Sequence, residues 1–374
     1  MKYGILIVAV GIVSALFHGI GLWPDFFWHI FYSDIVPFFE KAVAEGFPYI
    51  DRAIEYPVLT GLFVYVMGVI GGTHIGYYLA TSVLLIAFAG AATYFLLRFR
   101  QWVPMGETVY YFWIAAPSMF FFLIYNWDII AVFFVTAALY MMQKKNFYAA
   151  AFLLAAGFSS KFYPALYIIP LLLMQKETVK QAATLAVFGA TVLAINGFFM
   201  IASIANWSHF FVFNSLRPPN PDSIWTVVQF LIGRPIEIST INILSFILFA
   251  AAYGIFLWRF RKMHPLFLSF GITLIFLFFN KVFSPQYILW LLPFFVLLPI
   301  KKRWFYALEF SNLLALFSIL AWVFLGNASF YLWSALFFVV TRHIALFSIF
   351  IQVAGRKFTN NNLPILMKQS TLNI

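Results

Sequence analysis

The chain has 374 residues, of which 64% are apolar or aromatic and 9% are charged, whereas soluble domains have roughly 45–50% and 25%. This composition excludes a water-soluble fold and predicts an all-α polytopic membrane protein. The net charge is +11, but a membrane protein carries such an excess on its cytoplasmic loops, so the charge does not indicate a nucleic-acid partner. The absence of cysteine excludes disulfides, thiolate metal sites and cysteine nucleophiles.

The first predicted element is an apolar run over residues 1–23, which is longer than the apolar core of a signal peptide and has no small-residue cleavage site after it. We interpret it as a retained first span. Further apolar stretches of roughly 15 to 23 residues follow to the end of the chain. Basic clusters separate them, and the positive-inside rule places all of these clusters in the cytoplasm: Arg98/Arg100, Lys144/Lys145, Lys176/Lys180, Arg259/Arg261/Lys262, Lys301/Lys302/Arg303 and Arg356/Lys357.

Between consecutive basic clusters the chain must cross the membrane an even number of times, and polar segments supply the outward-facing turns. These segments are Asn126-Trp127-Asp128, Ser159-Ser160-Lys161, 205–239, Asn280-Lys281 and 326–329. If the run 57–71 crossed the membrane, the number of crossings before the first basic cluster would place that cluster outside, against the positive-inside rule. With about 15 residues it is short for a hydrocarbon core of about 30 Å, so we predict a non-spanning helix in the outer interface. The alternative is that 57–71 does cross.

The predicted fold is therefore a single membrane domain over 1–352, with about 12 transmembrane helices in a range of 10–13. Two long outer loops cover 24–75, which contains juxtamembrane helices, and 205–239, whose prolines argue against one continuous helix. A cytoplasmic tail covers 353–374. Both termini are expected in the cytoplasm, and the membrane is expected to be the plasma membrane.

Half of the 12 acidic residues lie in the first outer loop, namely Asp25, Asp34, Glu40, Glu45, Asp51 and Glu55. The same loop is rich in aromatic residues. Rings stack on the C–H faces of sugars while carboxylates accept hydrogen bonds from hydroxyls, so this combination favours a carbohydrate site. An aromatic belt at the membrane interface is the alternative explanation for many of the rings.

Four polar segments follow one another on the predicted outer face: Tyr32–Pro37 with Gly46–Tyr49 and Glu55-Tyr56-Pro57, then Asn126-Trp127-Asp128, then Gly157–Pro164, then Asn280–Tyr287 with Leu289-Trp290. This ordered series, over roughly residues 1 to 300, resembles the GT-C glycosyltransferases, most closely the branch that uses polyprenyl-phosphate-mannose or a similar lipid-phosphate sugar. The resemblance implies a GT-C-like fold and a hexosyltransferase, with mannose as the expected sugar and inversion at the anomeric carbon. The chain lacks the Asp-x-Asp pair of metal-dependent relatives, so we expect no metal and no cofactor.

Sugar transfer to a hydroxyl requires a base that takes the acceptor proton. We assign this role to Asp34, which matches the catalytic aspartate of the family. For Asp128, at the head of an apolar helix in the second outer turn, we expect a role in orienting the acceptor or in holding a basic partner such as Lys161. The alternative for each carboxylate is a helix cap, because aspartate is a preferred N-cap residue and both precede or begin predicted helices.

The departing phosphate requires cations, and only six basic residues lie on the predicted outer face: Lys41, Arg52, Lys161, Arg217, Arg234 and Lys281. We assign donor phosphate binding to Lys281, Arg217 and Lys161. Snorkelling of long side chains at the ends of spans is the alternative for Lys161 and Lys281. For sugar or acceptor binding we select Glu55, Tyr56, Trp127, Gln286 and Tyr287. For Glu55 and Asp51 the alternative is exposure to water or pairing with Arg52.

The predicted function is transfer of a hexose from a polyprenyl-phosphate donor to a lipid or glycan acceptor on the extracytoplasmic side. The predicted partners are membrane lipids, the lipid-linked donor and a glycolipid or glycan acceptor. One alternative is a transporter or flippase of a sugar or lipid-linked sugar, although such proteins tend to show repeated halves that this sequence lacks. Another is a polymerase or ligase that takes a diphosphate donor.

Overall fold

The computed structural model describes residues 2–23, 30–103, 105, 107–325 and 329–355. Predictions for Asp25, for 326–328 and for most of the tail 353–374 lie outside the described residues. Within these ranges the chain forms helices and no β-strand, as the composition predicts. The helices are α1 (Lys2–Gly19), α2 (Phe39–Val43), α3 (Val58–Gly71), α4 (His74–Arg98), α5 (Pro117–Phe122), α6 (Asp128–Gln143), α7 (Phe147–Ser160), α8 (Ile168–Leu173), α9 (Thr178–Ala202), α10 (Ile204–Leu216), α11 (Ile224–Leu231), α12 (Ile238–Phe260), α13 (Pro265–Phe279), α14 (Leu292–Leu297), α15 (Lys302–Phe324) and α16 (Ser329–Ala354).

Six helical stretches of the described chain are long and apolar enough to cross a membrane: Lys2–Leu22, His74–Gln101, Thr178–Ala202, Ile238–Phe260, Lys302–Phe324 and Ser329–Ala354. Shorter apolar helices lie between them. One of these is α3, which corresponds to the run 57–71. Its 14 residues extend for about 21 Å at 1.5 Å per residue, less than the thickness of the hydrocarbon core.

The helices form two compact units. The first unit contains Met1–Phe99 and Met119–Asn214, and the second contains Arg100–Ser118 and Ser215–Ile374. In the first unit, α4, α6, α7 and α9 pack in succession. The buried face of α7 consists largely of alanine and glycine, which lets neighbouring chain segments approach closely. At Gly157 an added Cβ would lie 3.0 Å from Pro164 and 3.1 Å from Phe134.

The second unit has its most buried elements in α13 and in the segment Pro285–Leu297. Helices α15 and α16 pack side by side along this core. The segment 205–239 is not one helix, in agreement with its prolines. Instead α10 ends at Leu216 and α11 begins at Ile224, and the intervening residues contain Pro218, Pro219 and Pro221.

Candidate active site

Asp34 lies in the segment between α1 and α2, and hydrogen bonds tie this segment to the turn before α6. The backbone N–H of Asp34 donates to the Tyr125 carbonyl at 2.9 Å, and the Ser33 hydroxyl donates to the Ile124 carbonyl at 2.8 Å. Both carbonyls belong to the turn that carries Asn126-Trp127-Asp128. The segment around Asp34 and this turn, two of the polar segments predicted on the outer face, therefore meet in the first unit.

The Asp34 carboxylate has two neutral hydrogen-bond donors. The Tyr32 hydroxyl donates to Oδ1 at 2.9 Å, and Asn126 Nδ2 donates to Oδ2 at 2.6 Å. The short helical turn Val36–Phe38 that follows has no side-chain cap. The capping alternative for Asp34 is therefore wrong, and the carboxylate points to the 126–128 turn instead.

The environment of Asp34 raises the pKa of its carboxyl group above the ordinary value of 3.8. Burial is the main cause, because it disfavours the charged form, and the negative charge of Asp128 adds to it. The hydrogen bonds from Tyr32 and Asn126 and the positive charge of Lys161 act in the opposite direction but do not cancel the effect. A carboxylate with a raised pKa is a stronger base, which suits proton abstraction from a hydroxyl.

Asp128 and Lys161 form a partly buried ion pair, as one of the sequence interpretations expected. Asp128 is the first residue of α6 and its side chain is fully buried, while Lys161 follows directly after α7. The Lys161 ammonium lies 3.2 Å from Asp128 Oδ1. It also lies 5.5 Å from the centre of the Tyr56 ring, within the range of a cation–π contact.

Asn126 joins these groups into one network. Its amide nitrogen donates to the Tyr56 hydroxyl at 3.0 Å as well as to Asp34. Asp34, Asn126, Tyr56, Lys161 and Asp128 are thus connected by successive contacts. The rings of Tyr56, Trp127 and Phe38 pack edge to face with centroids 5.1–5.4 Å apart and form an aromatic wall beside the carboxylate.

Glu55 does not pair with Arg52, which was one alternative to its predicted contact with the sugar or acceptor. It pairs with Lys41, whose ammonium also lies 4.6 Å from the centre of the Phe38 ring. Arg52 instead donates to the backbone carbonyls of Gly46 and Lys41. Asp51 accepts a hydrogen bond from the Phe47 N–H at 2.6 Å. Pairing of Glu55 or Asp51 with Arg52 is therefore not what the structure shows.

The loop that carries Tyr56 is held by Tyr49, which has the left-handed φ of 66° that favours glycine. The Tyr49 hydroxyl donates to the carbonyls of Tyr56 at 2.8 Å and Pro57 at 2.9 Å. This buried ring fits against α3 only because Gly61 has no side chain, since a Cβ there would lie 1.9 Å from the Tyr49 oxygen. The position of Tyr56 thus depends on a glycine in the next helix.

The second unit brings together Arg217 and Lys281. Lys281 Nζ donates to the carbonyls of Ser215 at 2.9 Å and Arg217 at 2.8 Å, and the Arg217 guanidinium donates to Asn220 Oδ1 at 2.8 Å. Asn220 in turn donates to the Ser284 hydroxyl at 2.8 Å. These bonds connect the Pro-rich segment after α10 to the predicted polar segment Asn280–Tyr287.

Lys281 is buried among these carbonyls. Its burial and the neighbouring positive charge of Arg217 lower the pKa of the ammonium to about 8. Further along the same segment, Gln286 is buried and the Tyr287 ring stacks on Trp290 with centroids 4.0 Å apart. The structure thus groups Arg217, Lys281, Gln286 and Tyr287 in the second unit and the other predicted site residues in the first.

Sequence reasoning missed a buried cation in α16. Arg342 is fully buried, lies 3.7 Å from Asp222 Oδ2 and donates to Asn312 Oδ1 at 3.0 Å. Asn312 in turn donates to the Pro285 carbonyl at 3.0 Å. The signal was available, because a charged residue inside an apolar span usually has a partner or a function. Tyr32 and the Asn126 side chain were also not selected.

A comparison with known protein families identifies the family of this chain. Residues 54–285, more than half of the chain, match the model for glycosyltransferase family 87. The chain belongs to glycosyltransferase family 87. The matched range contains Tyr56, the 126–128 turn, Lys161, Arg217 and Lys281, and it begins after Asp34. No curated protein matches the chain. The apolar helices and the family together identify a membrane glycosyltransferase.

Proposed function

We propose that this family 87 glycosyltransferase moves a hexose, with mannose as the proposed sugar, from a polyprenyl-phosphate donor to a lipid or glycan acceptor. The observation that carries the proposal is the partly buried Asp34 carboxylate, which is oriented by Tyr32 and Asn126 and has a raised pKa. Neutral donors fix its direction without neutralising it, so the carboxylate remains able to accept a proton.

The proposed reaction is a single displacement at the anomeric carbon. The acceptor hydroxyl oxygen forms a bond to that carbon from the face opposite the phosphate, and Asp34 takes the hydroxyl proton. The bond between the anomeric carbon and the phosphate oxygen breaks, and its electron pair stays on the phosphate. Attack from the opposite face inverts the configuration of the anomeric carbon.

The proposed cation set for the growing charge on the phosphate is Lys161, Arg217 and Lys281. Lys281 supports this role because the surrounding carbonyls fix its ammonium and the described residues offer it no acidic partner. Lys161 is also paired with Asp128, so the charge that it offers to the phosphate is shared with that carboxylate. The remaining proposed sugar contacts are Glu55, Tyr56, Trp127, Gln286 and Tyr287.

We also propose the topology that the basic loops predict, with about 12 spans, cytoplasmic termini and the site on the extracytoplasmic face of the plasma membrane. The reaction as proposed uses no resident metal or cofactor. Both points can be checked directly, by labelling of single introduced cysteines from each side of sealed vesicles and by activity in the presence of a chelator.

The decisive experiment is a transfer assay on the purified full-length protein with chelator present. Polyprenyl-phosphate-mannose, polyprenyl-phosphate-glucose and a polyprenyl-diphosphate sugar are offered with a membrane glycolipid extract. We compare the unaltered protein with Asp34→Asn and with Asp51→Asn as a matched control, because Asp51 contacts only the backbone of Phe47 among its described partners.

Product from one monophosphate donor, lost in Asp34→Asn and kept in Asp51→Asn, is the expected result. Product from the diphosphate donor alone would overturn the proposed donor class. Full activity in Asp34→Asn would overturn the assignment of the base.

A further inference from the structure

The second unit contains an apolar cavity of about 320 Å³ between the Pro-rich segment and the last two helices. Ile319 and Trp322 of α15 and Leu332 and Leu336 of α16 form much of its helical side. The opposite side includes Pro218 and Pro219. No residue of this wall carries a charge, so the cavity suits an apolar occupant.

Among the polar groups of the wall, the Thr226 hydroxyl and the Gln229 carbonyl oxygen have partners within their own loop. The Thr226 hydroxyl donates to the Asn220 carbonyl at 2.6 Å, and Gln229 Oε1 accepts from the Ile236 N–H at 2.8 Å. A hydroxylated or charged ligand would therefore gain little from this wall and would lose its hydration. A hydrocarbon chain would lose nothing of that kind.

Two arginines adjoin wall residues of this apolar cavity along the chain. Arg217 directly precedes Pro218, and Arg234 directly precedes Pro235, so two wall prolines are each attached to an arginine. The Lys281 ammonium lies 2.8 Å from the Arg217 carbonyl. These are three of the six cations on the predicted outer loops, where the positive-inside rule does not account for them. Charge complementarity thus indicates an occupant with an anionic head group and an apolar chain.

We propose that this cavity binds the isoprenoid units nearest the phosphate of a polyprenyl phosphate, with Arg217 and Arg234 beside the phosphate. The inference rests on the proposed donor class and adds the location of the lipid chain and a role for Arg234. The volume is at the lower end of the range for small-molecule sites, about 300–1,000 Å³. Only the first part of a long polyprenyl chain fits into the cavity, and the rest of the lipid stays in the bilayer.

This geometry predicts a specific dependence on chain length. Affinity rises while added isoprene units enter the cavity, because each removes apolar surface from water. It then stops rising, because later units contact only lipid. A general preference for hydrophobic molecules would instead increase steadily with chain length.

The test uses the full-length protein in detergent and a farnesyl phosphate that carries a photoreactive diazirine on its chain. The cross-linked peptides show where the farnesyl chain binds. Unlabelled prenyl phosphates of increasing length, farnesol and phosphatidylglycerol serve as competitors. Leu332→Trp fills the cavity, and Phe337→Trp, at an exposed position of the same helix, is its control. Arg234→Gln removes an exposed charge next to the wall residue Pro235, and Arg261→Gln is its control.

We expect cross-links in 218–238 or 319–336, competition that reaches a plateau with chain length, and at least a several-fold weaker signal in Leu332→Trp and Arg234→Gln but not in the controls. Cross-links elsewhere, or equal competition by phosphatidylglycerol, would overturn the inference. If the protein transfers sugar from a polyprenyl-phosphate donor but cross-links elsewhere, only the cavity assignment fails. If it neither transfers nor cross-links, the proposed donor fails with it.

Discussion

Asn126 donates one N–H to Asp34 Oδ2 and the other to the Tyr56 hydroxyl, at 2.6 and 3.0 Å. One amide thus fixes the proposed base and an aromatic ring of the site wall relative to each other. Because an amide is uncharged, it orients the carboxylate without removing its negative charge. Several consequences for pH dependence, stability and binding can be measured.

The acid limb of the pH profile should lie above the range of an ordinary aspartate. Asp34 must be ionised to accept a proton, and its pKa is raised from 3.8, so activity is lost as the pH falls through this raised value. The measurement is kcat/KM for sugar transfer from about pH 4 to 8. A profile that is flat down to pH 4 would contradict the raised pKa.

Removal of either hydrogen bond to Asp34 should shift this acid limb further. In Asn126→Ala and Tyr32→Phe the ionised carboxylate loses a donor, so the pKa rises and the limb moves to higher pH. Tyr32→Phe is the cleaner variant, because it removes a single oxygen. Ser208→Ala, at an exposed hydroxyl of the same unit, serves as the control. A shift to lower pH would contradict the proposed network.

Lys161→Met should destabilise the protein, because it leaves the fully buried Asp128 carboxylate without its ammonium partner. Breaking a buried pair in this way typically costs about 3–5 kcal/mol. The double variant Lys161→Met/Asp128→Asn should regain much of that loss, since no uncompensated charge remains. Thermal unfolding of the purified variants in detergent measures both effects. Equal stability of the single and double variants would show that the pair is not coupled.

Substitution of Arg217 should mainly affect donor binding, whereas substitution of Lys281 should affect both donor binding and stability. Arg217→Gln should raise KM for the donor by about tenfold, in line with one charge-assisted hydrogen bond. It should lower the unfolding temperature less than Lys281→Met does, because the lost bond to Asn220 lies within one segment. Lys281→Met should lower both binding and stability, because Lys281 also joins the carbonyls of Ser215 and Arg217. Donor titrations and thermal unfolding separate the two. An unchanged KM in both variants would remove them from the phosphate site.

Gly61→Ala should disturb the site from a distance. The new methyl group would displace the Tyr49 hydroxyl from its two carbonyl partners, at a cost of about 1–3 kcal/mol for overpacking. Gly90→Ala is the matched control, since nothing lies within 4 Å of the added Cβ. We expect lower stability and lower kcat in Gly61→Ala alone. Equal behaviour of the two variants would show that Tyr49 does not position Tyr56.

The all-helical membrane architecture and the polar turns of the first unit followed from the sequence, while the count of about 12 spans stays a prediction. Polar turns stand out in a chain with 64% apolar and aromatic residues, and the charge pattern separates their two sides. The 126–128 turn was identified on this basis, and Asp34 was selected with the help of the family resemblance. Their hydrogen-bonded contact in the first unit agrees with that selection, while the catalytic role of Asp34 stays a prediction.

The partners of individual side chains did not follow from the sequence. Asn126 lies 92 residues from Asp34, and an amide carries no charge that a topology argument could use. Pairing of Glu55 with its neighbour Arg52 was one of the alternatives, yet Arg52 donates to backbone carbonyls and Glu55 pairs with Lys41. The ion pair of Arg342 with Asp222 spans 120 residues, a separation that local patterns do not encode.

The contact between Tyr49 and Gly61 also bears on how substrates bind. The left-handed backbone at Tyr49 and the two bonds of its hydroxyl are made entirely within the protein, before any sugar is present. The conformational entropy of the loop up to Tyr56 is therefore lost during folding rather than during catalysis. For an acceptor bound at Tyr56, as proposed, we therefore expect an affinity that is not reduced by the ordering of a flexible loop.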